Sequence, residues 1–403
     1  MSSLSPSALS RTALPFEGEE ALRFFQLAPD RIHLNNGSFG AVPRSVEAAQ
    51  ARWRAEIERD PTTFLDEVYP AEVRRAAAIA ARGFGGEAQD WVFCENATSA
   101  LAGVLAAFPL KPGDEMLTTS HAYGAVVKAM RLWAQRSGAA LRFAELPSIL
   151  DEERQVVEAV MAAFTERTRL LVIDHITSPT AAVFPVAEIV RAARAAGIAV
   201  FVDGAHTLGQ IGLNVPALGA DWYTGNAHKW FFAPRGCGLL WTAPGRQEMT
   251  RPAVPSHGTD KGYTEAFDWI GTRDVTPWLC LAAAAQAFEE FGGKRLIARN
   301  RQLAAEAVDI LVTAVGGAVS APLSMRAAMA TICFPVKPAA SADAHLKLRA
   351  SLREKGMVVA ANVLNGFLCL RWSAQIYNSI ADYERCTEIL ARDHVFRAVA
   401  FLD

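Results

Sequence analysis

The sequence predicts an α/β protein: a mainly parallel seven-stranded sheet between helices, followed by a smaller α+β segment. Seven short apolar runs bounded by turn residues read as buried strands, namely 91–94, 115–119, 141–144, 170–174, 199–203, 222–224 and 238–242. Helical segments lie between most of them, for example Val156 to Phe164 and Ala187 to Ala196, the latter with Gly197 as C-cap. Strands that alternate with helices imply a parallel sheet covered on both faces. The texture changes after the Pro- and Gly-containing stretch from Pro252 to Pro277. A helical run from Trp278 to Phe291 leads past Gly292-Gly293 into another from Lys294 to Val315. Apolar strands at Met329 to Val336 and Gly366 to Ser373 follow, with a last helix from Ile380.

A chain of 403 residues exceeds one compact core. The expected organisation is an N-terminal arm (1–30) with an amphipathic piece at Glu19 to Leu27, a large domain (31–277) and a small C-terminal domain with its linking helix (278–403). Apolar residues make up 51% and charged residues 20%, as in soluble globular proteins. A formal charge of −2 gives no electrostatic reason to expect nucleic acid or an anionic membrane as partner. A small acid can still be steered by a single arginine in a cleft. Met1 to Pro6 has neither the basic nor the apolar region of a secretory leader. No apolar stretch of about 18 residues lacks a charge, so the expectation is a soluble, cytoplasmic protein. The six cysteines form no CxxC pair, which argues against zinc, a redox motif or any metal site, and for a reducing compartment without disulfides. Gly83 to Ala88 fits a loose dinucleotide fingerprint but precedes a strand instead of following one, so it reads as a turn. No GxxxxGK[ST] loop is present.

Ligands of open α/β sheets sit beyond the carboxyl ends of the strands, so polar residues that end strands carry the chemistry. Asp203 ends the run Val200 to Val202 and His206 follows it by three residues. Lys229 is followed by Trp230-Phe231-Phe232, an apolar run unlike the surroundings of a solvated lysine. Apolar surroundings disfavour the ammonium form and leave a nucleophilic amine able to form an imine. An aspartate at a strand end can hold the ring nitrogen of pyridoxal phosphate (PLP) protonated, which makes the ring an electron sink.

The run from Val202 to Gly238, with Asp203-Gly204-Ala205-His206, Thr224 to Trp230 and Ala233 to Gly238, resembles the class V aminotransferases of PLP fold type I. Within them it is most similar to the isopenicillin N epimerase-like group. Leu34 to Gly40, Asn96 to Ala100, Asp174 to Thr180, Gly271 to Asp274 and Leu370 to Asn378 agree with it in the family's order, over about residues 30 to 390. The resemblance implies a Schiff base between PLP and Lys229, with Asp203 and His206 beside the ring. Ala97, Thr98 and Ser99 open a helix after a strand and suit a phosphate. Asn226 and His228 match the polar pair that reaches the same phosphate. Thr272 matches a residue that reaches it from the partner subunit, which implies a homodimer with shared sites.

Tyr123 or His121 is expected to stack on the ring, and Ser178 or Thr177 to approach its hydroxyl. Arg371 stands in the apolar strand Phe367 to Leu370, where an unpaired guanidinium is costly, and its planar fork suits an α-carboxylate. The resemblance assigns it the substrate carboxylate, with Asn36 and Arg273 as further substrate contacts. An amino acid is thus the expected substrate.

Epimerisation or transamination leads among the reactions, with C–S or β-elimination as the alternative. A cysteine desulfurase is disfavoured: the expected loop from Glu354 to Gly366 holds no cysteine, and Cys369 lies inside a strand. The competing class is a PLP-binding scaffold without turnover. The joint presence of Lys229, Asp203 and Arg371, with no DNA-binding module attached, argues against it.

Overall fold

The apolar runs form the central sheet: β1 (Trp91–Cys94), β2 (Glu115–Thr119), β3 (Ala140–Ala144), β4 (Thr168–Asp174), β5 (Ala199–Gly204), β6 (Trp222–Asn226) and β7 (Gly238–Thr242). The computed structural model describes residues 14–337 and 343–400; residues 1–13 of the expected arm, including the stretch read as lacking a leader, lie outside the described residues. The strand order is β1-β7-β6-β5-β4-β2-β3. Only β7 runs against its neighbours, and the remaining pairs are parallel. Strands β5 and β6 are buried along their whole length, which explains why they read as continuous apolar runs without alternation.

Helices cover both faces. Ala97–Ala107 starts at a reciprocal cap: Asn96 Oδ1 accepts from the Ser99 N–H at 3.0 Å, and Ser99 Oγ accepts from the Asn96 N–H at 3.2 Å. Val186–Ala195 ends ahead of Gly197 at φ 73°, the left-handed residue that its C-terminus needs.

The second sheet is antiparallel, with β8 (Ala318–Val319), β9 (Met329–Pro335), β10 (Ala360–Leu364) and β11 (Phe367–Ser373) in the order β10-β11-β9-β8. It packs with the helices Lys294–Val315, Ala344–Glu354 and Ile380–Arg392 around a core that includes Leu311, Ile332, Leu348, Leu370 and Leu390. The 22-residue helix Lys294–Val315 joins the two cores: Leu296 is buried in the first, and Leu303, Ala307 and Leu311 in the second.

Three sequence expectations differ from the structure. Glu354 to Gly366 is not a loop: Met357–Val358 pairs with Ile32–His33, and β10 turns into β11 through Asn365 and Gly366, both at positive φ. That Asn-Gly pair is a two-residue hairpin signal which the sequence reading passed over. Strands and helices do not alternate throughout the expected large domain (31–277) either. The helices Arg44–Arg59 and Tyr69–Phe84 precede the first strand of the large sheet. The helical run after Pro277 is divided at Cys280 into Thr276–Leu279 and Leu281–Glu290. Among the described residues no helix is long and apolar enough to cross a membrane.

Candidate active site

The carboxyl ends of the parallel strands open onto a cavity of about 700 Å³. Its wall takes Asn96 to Ser99 from beyond β1, Tyr123 from beyond β2, Asp174 from β4, Asp203 and His206 from β5 and its following turn, and Asn226, His228 and Lys229 from β6 and the short helix after it. The sheet therefore brings together residues spread over more than 130 positions because every parallel strand ends on one side.

Lys229 occupies the short helix Ala227–Trp230, anchored by the buried Trp230. Burial, and next the positive Arg371, lower its pKa to about 8 against the opposing pull of Asp203 and Asp174. A substantial fraction of the amine is thus neutral near physiological pH. Its Nζ lies 3.3 Å from His206 Nε2. His206 is itself held neutral, chiefly by burial and then by the Lys229 and Arg371 charges. Asp203 Oδ1 accepts the Ala205 N–H at 2.9 Å, and burial raises its pKa.

At the other end of the cavity, Asn226 Oδ1 accepts the Ala97 N–H at 2.9 Å and ties β6 to the start of the helix Ala97–Ala107. His228 Nδ1 donates to the Cys237 carbonyl at 3.1 Å, and burial depresses its pKa to about 4, so the ring is neutral.

The structure separates the paired candidates. Tyr123 lines the cavity and is 46% exposed. His121 is fully buried behind it, donating from Nε2 to the Pro147 carbonyl at 3.0 Å and accepting from Thr180 Oγ1 at 3.0 Å. Ser178 lines the cavity, whereas Thr177 is buried and bonded to Thr180 at 2.7 Å.

Arg371 lies on β11, only 3% exposed. Its Nη1 donates to the Ser178 carbonyl at 2.7 Å and Oγ at 3.2 Å, and its Nη2 to Asn35 Oδ1 and Ser38 Oγ, both at 3.3 Å. Among the described residues no carboxylate pairs with it, and its Nε is buried without a partner. Desolvation lowers its pKa to about 10, which leaves it a cation surrounded by neutral groups.

The segment Asn35 to Gly40 bridges Arg371 and Lys229. Asn36 Nδ2 donates to the Lys229 carbonyl at 3.0 Å, while its Oδ1 accepts from the Ala41 N–H at 3.2 Å and the Tyr377 hydroxyl at 3.0 Å. A Cβ at Gly40 would overlap the His228 carbonyl oxygen, so only glycine lets the segment approach so closely. With its amide so engaged, Asn36 holds the backbone at Lys229, and like Arg371 it stands behind the residues that line the cavity. Thr272 and Arg273 also lie outside it, at an adjoining pocket of about 520 Å³. There Arg273 is paired with Glu95 and packed over the Trp278 ring at 4.4 Å, so within one chain it is not free for a substrate.

Asp174 is the main cavity residue that the sequence reading did not single out. The signal was present, because it ends the apolar run Leu170 to Ile173 as Asp203 ends its own. Ser38, Phe39, Glu95 and Arg235 also line the cavity without having been selected.

The residues fit PLP. A half-buried amine of lowered basicity stands beside a buried acid, an uncharged helix start carries hydroxyls for a phosphate, and His206 Nδ1 is buried without a partner in the protein. Among the described residues no cysteine lines either cavity.

Comparison with known proteins gives the family and the fold. The model of the family "Aminotransferase class-V" matches residues 51–385. The chain is 32% identical over 397 residues to a probable L-cysteine desulfhydrase, chloroplastic, of Arabidopsis thaliana, covering 90% of this chain and 82% of that protein. It is 31% identical over 389 residues to the isopenicillin N epimerase of Streptomyces clavuligerus, covering 92% and 97%. Its fold matches a mutant of C-DES with glycine covalently linked to the PLP cofactor, with a TM-score of 0.79 at 20% identity, covering 92% of this chain and 99% of that one. A half-buried lysine at the strand ends, a family match over most of the chain and the shared fold lead to one conclusion: the chain belongs to the class V aminotransferase family and is a PLP-dependent enzyme.

Proposed function

We propose that the enzyme is a C–S lyase that removes a sulfur substituent from the β-carbon of a cysteine-type amino acid. The observation that carries this reading is the similarity over nine-tenths of the chain to proteins named L-cysteine desulfhydrases. It moves the preference from epimerisation or transamination, which led the sequence reading, to the elimination held there as the alternative. The absence of a cavity cysteine supports it, since a desulfurase needs a thiol to take the sulfur.

When bound, PLP supplies a carbonyl carbon electrophilic toward amines and a ring that takes up the electron pair left when Cα loses a proton. The protein's residues do the rest. Arg371 anchors the α-carboxylate through its fork, which fixes the substrate against Lys229. The neutral Lys229 amine takes the Cα proton, the Cβ–S bond breaks, and the lysine ammonium returns that proton to the departing sulfur. His206, neutral and 3.3 Å away, holds the Lys229 amine in place between these transfers. The remaining enamine takes up water and yields a 2-oxo acid and ammonia, one of each per sulfur released. Asp203 serves the ring nitrogen, Tyr123 the ring face, Ser178 the ring-hydroxyl side, and Ala97 to Ser99 with Asn226 and His228 the phosphate. A homodimer in which Thr272 completes the partner's phosphate site belongs to the same reading.

A second reading, epimerisation, draws on the similarity to isopenicillin N epimerase and on Tyr123, a phenol at the cavity wall available as a second proton donor. The test supplies L-cysteine and S-substituted L-cysteines to the holoenzyme and measures thiol, 2-oxo acid and ammonia. Equal amounts of the three support the lyase. Accumulation of the D-enantiomer without sulfur release supports the epimerase and overturns the lyase.

A further inference from the structure

We propose that Asp174 and Asp203 form one carboxyl pair that holds a single proton, carried by Asp174, so that Asp203 remains the anion beside the cofactor ring. Asp174 is then a positioning residue that sets the charge of its neighbour. The inference rests on Asp203 serving the ring, and not on which reaction follows.

The placement comes from the sheet. Asp174 and Asp203 are register partners on the adjacent parallel strands β4 and β5. Residues paired in this way present their side chains to the same face. Both line the Lys229 cavity, and both are nearly inaccessible, at 4% and 3% exposed. Two carboxylates in one buried site cannot both ionise without a compensating cation.

Cations are scarce around the pair. Lys229 faces it from the helix after β6, but its own basicity is reduced. His206, on the turn after β5, is buried and neutral. His175, next to Asp174, gives its Nδ1 to the Tyr223 hydroxyl at 3.0 Å, and burial lowers its pKa to about 4. The Tyr223 hydroxyl is buried and un-ionised. Arg371 spends its donors on Ser178, Asn35 and Ser38. One lysine of lowered pKa therefore faces two carboxyls, and in the holoenzyme the protonated ring nitrogen that Asp203 would serve compensates only one of them.

The ring decides which acid keeps the proton, because the protonated ring nitrogen would favour an anion at Asp203. Burial raises Asp203 too, but the Ala205 N–H at 2.9 Å and Lys229 favour its anion. Asp174 is pushed well above the usual carboxylate range by burial and then by the Asp203 charge, against weaker help from its own N–H, the Tyr123 N–H and Lys229. The contact with the Tyr123 backbone also links Asp174 to the residue assigned to the ring face. Above the pair's titration the site would hold two anions, and the ring would see a more negative surrounding.

The test is the infrared spectrum of the holoenzyme at about pH 8, where Asp268, the other carboxyl raised by burial, to about 6, is ionised. The wild type should show a carboxylic-acid C=O band that shifts when aspartate is 13C-labelled at the carboxyl. Asp174→Asn should lose that band. Asp174→Glu should keep an acid band that no longer moves with the aspartate label, which serves if the asparagine variant does not fold. A wild type without the band, or a labelled band that survives either substitution, overturns the proposal. As a second readout, the visible absorbance of bound cofactor should show an alkaline transition in the wild type that Asp174→Asn lacks. An unchanged titration would mean that Asp174 is merely structural.

Discussion

Two neighbouring pockets share Glu95, Arg235 and Gly236 in their walls yet differ in how their charges are met. At the strand ends, half-buried Lys229 lines the cavity and Arg371 is buried behind the cavity residues Ser38 and Ser178; among the described residues neither is directly paired with a carboxylate, and Asp203 is satisfied by a backbone N–H. In the adjoining pocket, Arg54 pairs with Asp274 at 3.0 Å and Arg273 with Glu95. Uncompensated buried charge is costly to folding and is retained where a ligand supplies what is missing. Paired, half-exposed charge has no such need. The first pocket therefore suits a ligand that brings the missing charge, which the second does not need.

The largest effect tests the first half of that contrast. Lys229→Ala should lower turnover by about 10⁴-fold or more, since both attachment of the cofactor and Cα proton transfer use that amine. Borohydride reduction of the wild-type holoenzyme should fix a pyridoxyl group on Lys229, read by peptide mapping; a label on another lysine contradicts the assignment. Because only the neutral amine is nucleophilic, the rate at which apoenzyme takes up PLP should rise with pH and level off above about 8. A midpoint near that of a free lysine would mean that the amine is not desolvated.

Arg371 comes next. Losing a buried bidentate contact costs about 2–5 kcal/mol, so Arg371→Leu should weaken amino-acid affinity by tens to thousands of fold while bound PLP remains visible. Arg371→Lys keeps the charge without the fork and should fall between. The corresponding amino-acid amide, which lacks the carboxylate, should lose little on either substitution; an equal loss for acid and amide contradicts carboxylate recognition. Removing this cation should also move the Lys229 uptake midpoint upward, since Arg371 is the second cause of its depression.

A smaller effect is expected at Thr272, for which one hydrogen bond to a charged phosphate is proposed, worth about 1.5–3 kcal/mol. Thr272→Ala should weaken PLP binding to match, by roughly tenfold to a hundredfold. Mixing Thr272→Ala with Lys229→Ala subunits is more decisive. With shared sites, a mixed dimer holds one site intact and one doubly damaged, so its activity should exceed that of both parents. No rescue would place Thr272 in its own subunit's site or outside both.

How far the sequence led depends on which level of structure carries each feature. Asp203, Lys229 and Arg371 were legible because a charged residue in or after an apolar run is locally anomalous. Asp174 carried the same anomaly and was passed over because its run lacked a companion as distinctive as the lysine. Tyr123 and His121 could not be told apart, since one turn residue faces the cavity and the other is captured by Pro147 and Thr180, partners 26 and 59 positions away. Asn36 was likewise undecidable from local pattern: its engagement by Lys229 spans 193 positions. Apart from the edge strand β3, the strands of the large sheet are buried on both faces and read as apolar runs, whereas β10 is part-exposed and was marked only by the Asn365-Gly366 turn.

The smallest expected effect concerns Arg273 and Glu95, and it tests the second half of the contrast. The carboxylate side chain is 40% exposed and the guanidinium 21%, so solvent screens their attraction. A double-mutant cycle with Arg273→Ala and Glu95→Ala, followed by urea unfolding of the holoenzyme, should give a coupling of about 0.2–1 kcal/mol. Packing of Arg273 on Trp278 at 4.4 Å adds to the cost of Arg273→Ala alone but cancels in the coupling, because Glu95→Ala leaves it in place. If the pair is only a surface contact, KM for the amino acid should change by less than about threefold in Glu95→Ala, a loss below 1 kcal/mol. A change of tenfold or more in both single variants, with little effect on unfolding, would return Arg273 to the substrate and make Glu95 the residue that holds it ready.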